Sequence, residues 1–139
     1  IASVSKALRL VNTDMDKHYD YVKKINTYVR EQLGKYDLVK VNSPEDALPY
    51  FLNISVLGVK PEVLLHSLEE DEIYVSTNTA CSSGELSTSV MAIYNDKARA
   101  VSTIRISLSY VTTNEEITKF LNLFKARYNE LNSLMKGNE

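Results

Sequence analysis

The chain has few of the residues on which several common kinds of site depend. It has one cysteine, four glycines that are not clustered, and two histidines that lie far apart. One cysteine cannot form a disulfide within the chain, scattered glycines make no phosphate-binding loop, and the histidines lack the spacing of a zinc site. The composition therefore excludes a disulfide scaffold and predicts no bound metal.

Charge of one sign and long apolar runs are also missing. The chain has 16 basic and 18 acidic residues, and the basic residues form no sustained stripe. The chain therefore lacks a basic surface that could bind nucleic acid by displacing its counterions, and we predict no direct nucleic-acid partner. No stretch approaches the length of a membrane span or has the pattern of a signal peptide. We expect a cytoplasmic protein with no membrane partner.

Hydrophobic periodicity predicts several helices. Apolar residues recur at spacings of three and four over residues 1–11, 22–33, 61–68 and 117–131, and residues 86–94 could form a shorter helix. Gly34 is expected to end the second helix in a left-handed conformation. Thr113 and Glu116 have the spacing of a capping box and predict the start of a long C-terminal helix.

Alternating apolar and polar residues predict strands over residues 52–56 and 104–108, and shorter strands are expected at 37–41 and 73–75. The helices and strands do not alternate regularly. We therefore predict an α+β fold, a two-layer domain in which a few mainly antiparallel strands pack on helices. The length of 139 residues favours one domain over residues 1–139. The helical spacing begins at residue 1 without a start methionine or a cap, as expected for a piece of a longer protein.

Cys81 lies in a segment, residues 77–85, that contains no large apolar residue. Eight of the fourteen residues from 76 to 89 are Ser or Thr. A structural thiol is normally packed among hydrophobic side chains, whereas a reactive one is partly exposed. The pattern thus favours a nucleophile presented on a loop, although an inert thiol fits the same residues.

Arg105 and Asn53 are the other candidates for a site. Arg105 is predicted on the strand face opposite Ile104 and Ile106, where a guanidinium could bind a carboxylate through two parallel hydrogen bonds. The alternative is an ordinary surface arginine. Asn53 is predicted on the polar face of its strand, where it would contact either a ligand or the neighbouring backbone.

The chain resembles the cysteine desulfurases, which belong to the class V aminotransferase group of pyridoxal phosphate enzymes. Residues 74–84, Tyr-Val-Ser-Thr-Asn-Thr-Ala-Cys-Ser-Ser-Gly, resemble the family's cysteine loop in its long form. Residues 102–108 and 112–117 are similar to the segment that carries the substrate-carboxylate arginine and the final helix. Residues 52–59 resemble the family's Asn-hydrophobic-Ser strand.

The resemblance implies a role for each candidate residue. Cys81 would take sulfur from L-cysteine as a persulfide while alanine is released, and Arg105 would hold the substrate carboxylate. The cofactor would be pyridoxal phosphate, and the sulfur would serve iron-sulfur cluster assembly or tRNA thiolation. The expected partners are a sulfur-acceptor protein and, for the full-length enzyme, a second copy in a homodimer.

The family's His-Lys cofactor motif is absent, because no lysine in this chain directly follows a histidine. We therefore expect residues 1–139 to be the C-terminal small domain of such an enzyme, separated from the N-terminal large domain that carries the cofactor lysine. The chain alone is expected to bind no pyridoxal phosphate and to be inactive. Two alternatives stay open: another class V member, an aminotransferase or selenocysteine lyase in which Cys81 is incidental, and a non-catalytic interaction module.

Overall fold

The computed structural model of the chain describes residues 2–77 and 86–136. Within these ranges the secondary structure consists of helices and short strands, which occur in the following order: α1 (Ala2–Thr13), α2 (Met15–Leu33), β1 (Val39–Val41), β2 (Phe51–Val56), α3 (Pro61–Glu69), α4 (Thr88–Tyr94), α5 (Lys97–Ala100), β3 (Thr103–Ser107) and α6 (Asn114–Lys136).

The three strands form one antiparallel sheet with β2 in the centre. Side chains alternate between the two faces of the sheet, so that Leu52 and Ile54 of β2 are fully buried while Asn53 between them is only partly buried. Ile54 lies directly opposite Ile104 of β3. The sheet thus has an apolar face and a polar face, and the predicted α+β fold is confirmed.

Three helices, α2, α3 and α6, cover the apolar face. Their buried side chains recur at the predicted helical spacing and join one core cluster with the strands; they are Val22, Ile25, Val29 and Leu33 of α2, Leu64 and Leu68 of α3, and Ile117, Phe120, Phe124 and Tyr128 of α6. Burying one large apolar side chain stabilises the fold by about 1.5 to 3 kcal/mol relative to exposing it. These apolar stripes therefore hold the helices against the sheet.

The start of α6 has the predicted capping box. The Glu116 backbone N–H donates to the Thr113 hydroxyl at 3.2 Å, and the Thr113 backbone N–H donates to the Glu116 carboxylate at 2.7 Å. Two N–H groups at the helix terminus, which would otherwise lack partners, are thus satisfied. The box fixes where α6 begins after the end of β3.

Helix α1 confirms the helical spacing predicted near the start of the chain, but it contributes nothing to the core. Every residue from Ala2 to Thr13 is exposed, and the apolar side chains Val4, Leu8 and Val11 have 62%, 61% and 58% of their surface in solvent. This part of the chain therefore differs from α2, α3 and α6, whose apolar stripes are covered.

The predicted left-handed stop at Gly34 is wrong. Gly34 follows the end of α2 with φ −65° and ψ −9°, which is a right-handed conformation. The next residues continue in right-handed turns, because the N–H groups of Lys35 and Tyr36 donate to the carbonyls of Gln32 and Leu33. The chain therefore leaves the helix without the reversal that a left-handed glycine provides.

The strand predicted over residues 73–75 is also wrong. Glu72 has a positive φ of 61°, and the N–H of Ile73 donates back to the carbonyl of Leu68 in α3. Ile73 is therefore tied back to α3, and residues 73–75 form no strand. Only Ser76 reaches the sheet, where it makes an isolated bridge to Arg105. Helix α5 has no counterpart in the sequence prediction.

The structure holds no helix, among the residues it describes, with both the length and the apolar character required to cross a membrane.

Candidate functional site

Arg105 occupies the middle of β3 and points away from the core. Its neighbours Ile104 and Ile106 are buried, with 0% and 6% of their surface exposed, whereas Arg105 itself is exposed. Because successive side chains of a strand point to opposite faces, the guanidinium lies on the polar face. The predicted position of Arg105 is confirmed, and its role stays a prediction.

Asn53 is the direct cross-strand neighbour of Arg105. The register of β2 and β3 places the two residues opposite each other on the polar face of the sheet. Directly opposed residues of antiparallel strands have their Cβ atoms roughly 4.5 to 5.5 Å apart. Two residues that the sequence indicates separately are thus brought together by the fold.

Arg105 is also paired with the residue that leads into the cysteine segment. The Arg105 backbone N–H donates to the Ser76 carbonyl at 2.6 Å, and the Ser76 N–H donates to the Arg105 carbonyl at 3.0 Å. Ser76 precedes Cys81 by five residues. Cys81 itself, the predicted nucleophile, lies outside the described residues.

An aromatic side chain that sequence reasoning missed lies beside the guanidinium. The guanidinium carbon of Arg105 is 5.8 Å from the centre of the Phe51 ring, and the ring is half exposed. A cation over an aromatic face at an exposed site gains about 0.5 to 1 kcal/mol. Phe51 therefore favours guanidinium positions near β2, on the side where Asn53 also lies.

The polar face contains a hydrogen-bonded network centred on Asn42, which sequence reasoning also missed. Asn42 is only 4% exposed and follows β1 directly. Its side-chain nitrogen Nδ2 is 2.7 Å from Oδ1 of Asn53 and 2.7 Å from the hydroxyl of Ser55. Its oxygen Oδ1 accepts from Nε and Nη2 of Arg99 at 3.0 and 2.8 Å. Each polar atom of the Asn42 side chain is therefore satisfied.

Arg99 and Tyr94 join this network to the two short helices. The Arg99 guanidinium stacks 3.6 Å from the centre of the Tyr94 ring and donates to the carbonyl of Val41 at 2.9 Å. The Tyr94 hydroxyl donates to the carbonyl of Asn42, and the Ser55 hydroxyl donates to the carbonyl of Arg99, both at 2.8 Å. Helices α4 and α5 are thereby fixed to the polar face.

The arrangement is suited to binding a carboxylate, a planar anion with two acceptor oxygens. Arg105 offers a guanidinium, which matches a carboxylate through two hydrogen bonds, and Asn53 adds an amide beside it. Across residues 2–77 and 86–136 there is no group of His, Cys, Asp and Glu side chains that could hold a metal ion.

The same residues do not fit pyridoxal phosphate. The side chains next to Arg105 in the sheet are those of Phe51 and Asn53, and neither carries the amine that a covalently held aldehyde cofactor requires. Arg105 and Asn53 can therefore hold a carboxylate, but neither they nor Phe51 offer an amine for a covalent bond to that cofactor.

Comparison with known proteins identifies the class to which this fold and site belong. Residues 1–120 match the aminotransferase class-V family model. A solved structure of a NifS-like protein from Rickettsia africae ESF-5 superimposes with a TM-score of 0.72 at 25% identity, covering 86% of this chain and 31% of that one. The chain belongs to the class V aminotransferase family.

The similar curated proteins include several that are named cysteine desulfurase. A NifS/IcsS protein homolog from Lactobacillus delbrueckii subsp. bulgaricus is 31% identical, over 96% of this chain and 36% of that protein. Cysteine desulfurase IscS from Vibrio campbellii is 32% identical, over 84% of this chain and 29% of that protein. The chain therefore spans about a third of the length of the curated relatives it matches.

Proposed function

We propose that this chain supplies the sulfur-accepting cysteine and the substrate-carboxylate arginine of a cysteine desulfurase. The observation that carries the proposal is the paired backbone of Arg105 and Ser76. It ties the candidate carboxylate site to the residue from which the chain continues to Cys81. The similarity to proteins named cysteine desulfurase supports the choice of reaction.

Recognition of L-cysteine would depend on its carboxylate. Arg105 would bind both carboxylate oxygens, and Asn53 would donate to one of them from the neighbouring strand. A hydrogen bond to a charged group contributes about 1.5 to 3 kcal/mol. Because both side chains project from a sheet whose other face is packed in the core, the carboxylate would be held in one fixed orientation.

Cys81 would be the group that accepts sulfur. Its thiolate attacks the sulfur of the bound cysteine, forming an S–S bond while the bond between that sulfur and the substrate Cβ breaks. The electron pair of the broken bond stays with the three-carbon product, which takes up a proton and leaves as alanine. The step leaves a persulfide on Cys81 and needs no external oxidant or reductant, because the two electrons lost by the transferred sulfur are kept by the substrate Cβ, which is reduced to the methyl group of alanine.

The remaining parts of the enzyme would lie outside this chain. An N-terminal large domain would hold pyridoxal phosphate, which stabilises the negative charge that develops on the substrate. We expect the full-length enzyme to be a homodimer and to pass its sulfur to an acceptor protein in iron-sulfur cluster assembly or tRNA thiolation. The chain alone should release no alanine from cysteine.

The direct test replaces Cys81 with serine in the full-length enzyme. Cys81→Ser should abolish both the persulfide, measured by mass spectrometry as one added sulfur atom, and the release of alanine. The melting temperature and the cofactor content should stay as in the wild type. Ser82→Ala is the matched control, since it changes the adjacent residue without removing a thiol, and it should still form the persulfide.

Retained alanine release in Cys81→Ser would contradict the proposal. Alkylation of the thiol gives a second test, because a class V aminotransferase would keep its activity after this treatment and a desulfurase would lose it. The alternative of a non-catalytic interaction module is tested by sequencing the gene upstream of residue 1. A desulfurase requires a cofactor lysine encoded there in the same reading frame, and its absence would favour the interaction module.

A further inference from the structure

The Asn42 network has a definite direction of hydrogen-bond donation. An arginine side chain has only N–H donors and cannot accept a hydrogen bond. Arg99 approaches Asn42 with Nε at 3.0 Å and Nη2 at 2.8 Å. The atom of Asn42 that faces Arg99 must therefore be the oxygen, because the opposite orientation of the amide would place donors against donors.

This fixed orientation is passed on to Asn53. With its oxygen committed to Arg99, Asn42 turns its Nδ2 toward Asn53 and Ser55. The atom of Asn53 that receives this donor at 2.7 Å must be Oδ1. The other end of the Asn53 amide, the Nδ2 group with its two hydrogens, consequently points away from Asn42.

Burial of the network makes the orientation costly to reverse. Asn42 is 4% exposed and Ser55 is fully buried, so water has little access to replace a mismatched partner. The backbone adds two further constraints, since the Asn42 N–H donates to the Asn53 carbonyl at 2.8 Å and the Asn53 N–H donates to the Ser43 hydroxyl at 2.9 Å. Both asparagines are therefore held by hydrogen bonds to the backbone as well as to the side chain.

We infer that Asn42 and Arg99 are positioning residues that orient the Asn53 amide so that its N–H donors, and not its oxygen, face the substrate carboxylate held by Arg105. The inference rests on the proposed function, because it assumes that Arg105 binds this carboxylate. In the described part of the chain, no acceptor engages Nδ2 of Asn53, which leaves its hydrogens available. An oxygen in the same place would repel the carboxylate.

The substitution Asn42→Asp tests this orientation with almost no change in shape. A carboxylate keeps two acceptors for Arg99, but it has no donor for Oδ1 of Asn53. Asn53 should then reverse its amide, donate Nδ2 to the new carboxylate and present its oxygen to the substrate. In the full-length enzyme we expect the KM for L-cysteine to rise roughly ten- to a hundredfold, as for the loss of one charge-assisted hydrogen bond. The value of kcat should change by about twofold or less, since no group that reacts is altered.

Asn26→Asp is the matched control. Asn26 is 5% exposed, lies on α2 and donates to the carbonyl of Pro49 at 2.9 Å, so the same change there creates a similarly buried carboxylate away from Arg105. It should lower the melting temperature without raising KM. A rise in KM equal to that of Asn42→Asp would mean that general damage explains the effect, and the inference would be wrong.

A double-mutant cycle separates positioning from a purely structural role. Asn53→Ala alone should raise KM by a similar factor, and adding Asn42→Asp to it should give no further rise, because no amide is left to reverse. If the fold-change in KM of the double variant instead equals the product of the two single fold-changes, the inference is wrong. If Asn42→Asp does not fold, Arg99→Gln replaces it: glutamine can both donate and accept, so the orientation is no longer enforced and KM should still rise, by a smaller factor.

Arg105→Lys distinguishes this inference from the proposed function. If Arg105→Lys raises KM and a folded Asn42→Asp does not, only the orienting role of Asn42 is wrong. If Arg105→Lys leaves KM unchanged, the carboxylate site itself is wrong, and the inference fails with it. Direct titration of the same variants with L-alanine, the expected product, reports carboxylate binding without turnover and should follow the changes in KM.

Discussion

The same strands form both faces of the sheet, but one face packs in the core and the other carries the hydrogen-bonded polar side chains. On one face Leu52 and Ile54 pack against the helices, and on the other Asn53 and Ser55 make hydrogen bonds. A shift of strand pairing by one residue would exchange the faces, so burial of the apolar side chains fixes the register. The apolar face therefore determines which polar side chains are neighbours. Asn53 lies opposite Arg105 because the buried side chains on the apolar face fix the register of β2 and β3.

The strongest test of this division replaces neighbouring residues on opposite faces. Ile104→Ala removes a fully buried side chain and should lower the free energy of unfolding by about 2 to 5 kcal/mol. Arg105→Ala, at the exposed neighbour, should change it by about 1 kcal/mol or less, the size of the Arg105 interaction with the Phe51 ring. Denaturant titration of both variants measures the difference. Equal losses would show that the polar face also holds the fold.

Arg105→Lys tests the polar face alone. Lysine keeps the positive charge but loses the forked pair of donors, so the KM for L-cysteine in the full-length enzyme should rise. Loss of one charge-assisted hydrogen bond costs about 1.5 to 3 kcal/mol, which is roughly ten- to a hundredfold. Steady-state kinetics gives the value, and an unchanged KM would make Arg105 an ordinary surface residue.

Phe51→Leu should have a smaller effect on the same side. The substitution removes the aromatic ring beside the Arg105 guanidinium, an interaction of about 0.5 to 1 kcal/mol, so KM should rise about two- to fivefold. Phe51→Tyr keeps an aromatic ring and serves as the control, with KM close to that of the wild type. A similar rise in both variants would show that the ring is not acting through its interaction with the cation.

The smallest change is expected where a side chain belongs to neither face. Leu8→Ser in α1 replaces an apolar group that is 61% exposed, so the free energy of unfolding of the chain should change by about 0.5 kcal/mol or less. Thermal or denaturant unfolding measures it beside Ile104→Ala. A loss of several kcal/mol would mean that α1 is buried in the folded protein.

Local patterns in the sequence predict most of the fold. The stripes of α2 and α6, the capping box at Thr113 and the alternation in β2 and β3 are confirmed, because each depends on residues a few positions apart. The strand predicted at residues 73–75 failed because a positive φ at Glu72 ties this segment to α3. A short apolar run alone cannot reveal such a turn.

The site was predicted less completely, for a physical reason. Arg105 and Asn53 stand out by their positions in alternating strands, but the network around Asn42 joins residues up to 58 positions apart in the chain. In sequence, Asn42 resembles only the end of a strand, and Arg99 is one basic residue among many. Their roles depend on the sheet register and on the placement of α5, and neither can be predicted from the spacing of nearby residues.

The exposure of α1 has a thermodynamic consequence. An isolated helix of about 12 residues is only marginally stable in water, because few hydrogen bonds offset the cost of ordering the backbone. Without buried contacts α1 should therefore open and close independently of the core, and its amides should exchange with solvent much faster than those of α2 or α6. The helicity of residues 2–13 thus becomes a reporter: it should increase under any condition that covers this surface, while the exchange of the core amides stays unchanged.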